Sequence, residues 1–166
     1  MMDFKEGALW GLDRAKGFLH RSLDGLTQQQ AAWRACGNCN SIASMVIHLG
    51  RVEDTWTHRI LGGKDIWETD GWAQKFGLPI EDRGWTFDKQ SAQEQQPLSE
   101  LVNYYEATHR LLVEFIEKLP VERLAESPQN QMNLTVEQIF SHIVIEESQH
   151  VGQIDYLKGM QNSQAS

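Results

Sequence analysis

Apolar residues recur three and four apart in four stretches of the chain, the period of a helix with one face turned inward. In the first stretch Phe4, Ala8, Leu12, Ala15, Leu19, Leu23 and Leu26 form the stripe, while Asp3, Lys5, Glu6, Asp13, Arg14 and Lys16 fill the other faces, which predicts a helix over about 3–25. A polar, turn-rich connection follows. Asn40 or Ser41 is then placed to cap a second helix over 41–62, whose stripe reads Met45, His48, Val52, Trp56, Ile60 and which Gly62 and Gly63 stop. Leu101, Tyr105, Thr108, Leu112, Phe115 and Leu119 give a third helix over 98–119, ended by Pro120. Thr135 with Gln138 three residues on is a capping-box pattern, so a fourth helix should run over 136–158 and end at Gly159.

Four amphipathic helices and no competing strand pattern predict an all-α fold, an up-and-down four-helix bundle, with residues 1–160 as one domain and 161–166 as a disordered tail. The long connection between helices two and three, residues 63–97, carries Trp67, Trp72, Phe76, Trp85 and Phe87. That is too much apolar mass for a plain linker: it either covers one end of the bundle or serves as a lid and pocket wall.

The chain has 166 residues and a formal charge of -8, without any basic run, which argues against nucleic-acid and anionic-membrane partners. No apolar stretch approaches the ~20 residues a bilayer crossing needs, and the charged N-terminus lacks the pattern of a signal peptide, so a cytoplasmic location is expected. Cys36 and Cys39 form a CxxC. Neither a second ligand pair nor a strand before it accompanies the motif, so it reads as two inert thiols in a loop.

Helix four carries the informative chemistry. Its inward stripe, Ile139, Ile143, Glu146, His150, Ile154, Leu157, holds two polar residues among isoleucines, and a carboxylate in such a place needs a partner. Glu146 and His150 lie one turn apart on one face, a spacing at which two side chains can grip one ion. His48, on the stripe of helix two, is a third donor that a bundle can bring alongside. Two imidazoles and a carboxylate are the ligand type of catalytic zinc sites with an open position; the alternative from the same residues is a buried ion pair with a satisfied core histidine. His142 could act as a supporting partner or proton shuttle and Gln153 could hydrogen-bond a ligand. His20, His58 and His109 read as solvated, and Arg51, Glu53 and Asp54 as the wet face of helix two.

Three segments, NSIASMVIHLGRVEDTW (40–56), DGWAQKFGLP (70–79) and LTVEQIFSHIVIEESQHVGQID (134–155) with its E-x-x-x-H-x-G-Q core, resemble the DinB-like superfamily, in particular the branch of mycothiol-dependent maleylpyruvate isomerase and related thiol S-transferases. Members commonly hold a divalent ion with one histidine from helix two and two from helix four. Glu146 stands where the first helix-four histidine would be, as in the isomerase branch. The resemblance implies metal ligation by His48, Glu146 and His150, with zinc ahead of nickel, a low-molecular-weight thiol such as mycothiol or bacillithiol as cosubstrate, a small electrophile as substrate, and a homodimer. It points to a divalent-metal-dependent thiol S-transferase. The alternatives are a metal-dependent hydrolase and a non-catalytic, stress-responsive metal-binding bundle.

Overall fold

In the computed structural model, which describes residues 2–62, 65–80 and 95–164, helices account for the regular structure and no strand occurs among the described residues. Four long helices form the bundle: α1 (Phe4–Leu23), α3 (Ile42–Leu61), α6 (Leu98–Lys118) and α7 (Val136–Gln164). Short helices α2 (Gln28–Ala32), α4 (Ile66–Thr69) and α5 (Trp72–Lys75) and a 3-10 turn (Val121–Ala125) occupy the connections. The expected all-α bundle is the fold observed.

Local chemistry sets the helix starts. Asp3 and Glu6 form a reciprocal capping box on α1, as Ser41 and Ser44 do on α3. Thr135 Oγ1 accepts from the Gln138 amide while Gln138 Oε1 accepts from the Thr135 amide at the start of α7. Gly62 closes α3 in the left-handed region at φ 70°. Gly159, by contrast, does not end α7, which continues to Gln164: the backbone there stays helical, and Gln161 Nε2 donates to the Gln30 carbonyl oxygen of α2, holding the extra turn in place. Residues 161–164 of the expected tail are therefore helical, and 165–166 lie outside the described residues.

α3 is the central element, packed against α6 and α7 and also touched by α2 and α4, while α1 lies on α7. Its close approach to α6 depends on Gly50: a Cβ there would stand 2.8 Å from the Tyr104 ring and 3.3 Å from the Tyr105 Cα. Being covered on so many sides, α3 has no wet face. From Ser41 to Thr57 every residue but His48 is buried, which corrects the expectation for Arg51, Glu53 and Asp54. Arg51 lies under the Trp67 ring, its guanidinium carbon 4.7 Å from the centroid. Asp54 accepts from Arg51, from the Tyr104 hydroxyl at 2.6 Å and from the first two amides of α4, Ile66 and Trp67. A buried aspartate thus fastens the long connection to the bundle.

Candidate functional site

The exception on α3 is the site. His48 faces α7, where Glu146 and His150 meet it: Glu146 Oε2 stands 3.5 Å from His48 Nε2 and 3.4 Å from His150 Nε2. The imidazole rings lie edge to face at 4.7 Å. Both separations exceed a good hydrogen bond. They correspond to ligand-to-ligand distances around a tetrahedral ion with bonds of ~2.1 Å, for which the edge is ~3.4 Å. The three donor atoms all lie within 4.8 Å of one another. With side-chain exposures of 18%, 23% and 16% the group is neither sealed nor on the surface. Burial, and after it the neighbouring His150, pushes the His48 pKa below its ordinary value against the opposing pull of Glu146, which favours the neutral imidazole that a cation requires.

The supporting residues divide. Gln153 Oε1 lies 3.0 Å from His150 Nδ1 and fixes that ring, leaving Nε2 toward Glu146. His142 Nε2 is 3.9 Å from Glu146 Oε1 and its ring packs edge-on against Trp56 at 5.4 Å, so it touches the rim of the group. A cavity of about 550 Å³ is walled by Gln149, Gln153 and Tyr156 of α7, Met45 of α3 and the Asn38–Asn40 turn; His48, Glu146 and His150 do not line it, and Gln153 links it to His150. No charged side chain among the described residues lines it. None of the described residues of the 63–97 connection does either. Trp67, Trp72 and Phe76 instead gather around Tyr104 of α6, and Trp85 and Phe87 lie outside the described residues.

His20 is exposed and pairs with Glu106 at 2.5 Å, and His58 is half-buried. His109 is not solvated: it is 4% exposed, with Nδ1 2.7 Å from Glu53 Oε1. Glu53 also accepts from Thr108, and Glu147, next to Glu146 but directed into the core, accepts from the Tyr105 hydroxyl and shares a side-chain hydrogen bond with Glu53. Burial pushes the Glu53 carboxyl up to about 8 and that of Glu147 well above its ordinary value. Glu53, His109 and Glu147 form a second set of clustered donors, fully buried. The signal was in the stripe: Glu53 lies four after Leu49 and three before Trp56, a core register on a helix assumed to have a solvated side.

The cysteines differ from the expectation of free thiols. A turn in which the Cys39 amide donates to the Cys36 carbonyl oxygen brings their Cα atoms to 5.0 Å, and the two are joined in a disulfide.

The chain is a helical bundle of the DinB-like type, as the resemblance implied. Within that type, the chain belongs to the mycothiol-S-transferase family, whose model matches residues 10–161. Among solved structures, a conserved protein from Enterococcus faecalis has the same fold, with a TM-score of 0.83 at 20% identity over 95% of this chain and 96% of that one. No curated protein matches the sequence. No helix among the described residues is long and apolar enough to cross a membrane.

Proposed function

We propose that the protein is a divalent-metal-dependent S-transferase that joins a low-molecular-weight thiol to a small electrophile, with His48, Glu146 and His150 holding the ion. The observation that carries the reading is the convergence of two imidazole Nε2 atoms on one carboxylate oxygen at 3.4 and 3.5 Å, at the one half-buried position of an otherwise buried stretch of α3. A divalent cation held there supplies Lewis acidity that lowers the pKa of a thiol near it. Zinc fits the nitrogen and oxygen donors, and nickel is the alternative by the same criterion.

The chain's own residues do the rest. Gln153 holds the His150 ring, and the low His48 pKa keeps that nitrogen free of a proton near neutrality. The amide groups of Asn38, Asn40, Gln149 and Gln153 and the Tyr156 hydroxyl offer hydrogen bonds to an uncharged polar body, as a sugar-linked thiol has. In the transfer the thiolate sulfur forms a bond to the electrophilic carbon, and the leaving group departs with the bonding pair. Family membership supports the thiol. The test is metal analysis of the purified protein followed by conjugation of mycothiol to 1-chloro-2,4-dinitrobenzene. Thiol-dependent turnover that chelation and His150→Ala both abolish is expected; turnover unaffected by either refutes the assignment.

A further inference from the structure

Cys39 of the Cys36–Cys39 disulfide lines a cavity that is joined to the candidate site through Gln153, which lines the same cavity and holds His150. Cys39 is half-buried and lines the cavity wall, whereas Cys36 is exposed on the outer side of the same turn. Across the cavity stand Gln149 and Gln153, and Gln153 in turn holds His150. The Arg34 guanidinium donates to the Cys39 carbonyl oxygen at 2.6 Å and fixes the turn. Two residues on, Ser41 caps the helix that carries His48. A thiol whose body occupies this open cavity therefore rests against Cys39, which lines it, and not against Cys36, which does not.

Thiol–disulfide exchange needs the attacking sulfur, the attacked sulfur and the departing sulfur in line, and it runs best when the departing thiolate is well solvated. We propose that the Cys36–Cys39 disulfide is an exchange site for the thiol bound in the cavity, with Cys39 the sulfur attacked and Cys36 the leaving group. The proposal rests on the reading that the cavity takes a low-molecular-weight thiol. In the first step the thiolate of the bound molecule forms a bond to Cys39 Sγ, the Cys36–Cys39 bond breaks, and Cys36 leaves as a thiolate into water. One disulfide replaces another, without net oxidation. A second molecule of the thiol then attacks the adduct, forming the small-molecule disulfide and leaving both cysteines as thiols, so that two thiols are oxidised as the protein disulfide is reduced. The intermediate adduct occupies the cavity against Gln153 and denies it to a fresh thiol. Under oxidising conditions, when the second step lacks free thiol, transfer stops.

The experiment uses the full chain with its disulfide formed, 1-thio-β-D-glucose as an uncharged, hydroxyl-bearing probe, and a rapid iodoacetamide quench. Fragment-ion mapping then shows which cysteine carries thioglucose and which is alkylated. Thioglucose on Cys39 with alkylated Cys36, in about tenfold excess over the reverse, is expected. Equal labelling, the reverse pattern, or a protein that does not form the disulfide overturns the proposal. His150→Ala should keep the Cys39 preference while losing conjugation. Loss of conjugation chemistry in the wild type with selective exchange intact refutes the S-transferase reading alone; unselective exchange with conjugation intact refutes this inference alone.

Discussion

Replacing Glu53 and Glu147 together by glutamine should flatten the dependence of stability on pH between about 5 and 8, because both carboxyls are held protonated in the fold. Burial places Glu53 at about 8 instead of 4.5, and Glu147 moves in the same direction. A carboxyl raised in the folded state binds a proton that the unfolded chain has already released. Its contribution is thus fully present below the unfolded value and is lost as pH rises through the folded one. Each such proton is worth ~1.4 kcal/mol per pH unit, so Glu53 alone is bounded at ~5 kcal/mol over the interval, and ~2 kcal/mol is expected once water penetration and relaxation are allowed for. Urea unfolding of the apo-protein in chelator, at several pH values, measures it. Chelator matters because a bound ion is released as pH falls and would add a slope of opposite sign. Since that residual behaviour is common to both proteins, the difference between wild type and double variant isolates the pair. Parallel curves for the two would refute the argument that this cluster holds protons.

His150→Ala should abolish stoichiometric binding of a divalent cation, measured by metal analysis, and Gln153→Ala should weaken affinity roughly 10- to 100-fold while leaving the stoichiometry reachable at high metal. Gly50→Ala should cost ~1–3 kcal/mol in denaturant unfolding, because the Tyr104 ring must move out of a packed core. Asp54→Ala leaves Arg51 with Asp65 as its remaining carboxylate and two amides of α4 without their acceptor, and a loss of ~2–4 kcal/mol is expected, against a smaller loss for Asp54→Asn. Trp72→Ala should lower the melting temperature and leave KM for thiol unchanged, since its ring packs on Tyr104 rather than on the cavity.

The four long helices were legible because each carries a periodic apolar stripe and most carry cap chemistry, as Ser41 and Thr135 illustrate. The grouping of His48, Glu146 and His150 was legible for the same reason: polar residues in core register must meet something. What failed was the assumption that charge on a helix marks its solvated side. Asp54 and Arg51 are buried because α4 and its neighbours cover α3 from a direction no period within α3 can reveal, whereas Glu53 stands in core register against α6 and α7 and was passed over as part of a charge run; His109 went unread because its partner Glu53 is 56 positions away. The Asn38–Asn40 cavity wall was equally hidden, since loop residues acquire a role only when α7 is set beside them.

Glu146 and Glu147 are neighbours in sequence, and on an α-helix neighbours point ~100° apart. One reaches toward His48 and the other toward Tyr105 in the core. Together they key the rotation of α7 as two teeth key a shaft. Any roll of the helix that would respace the histidine group must also drag a buried carboxyl from its hydroxyl partner. The angular setting of the reactive group is therefore inherited from the interior, and substitutions near Tyr105 should detune it from a distance without touching any of its members.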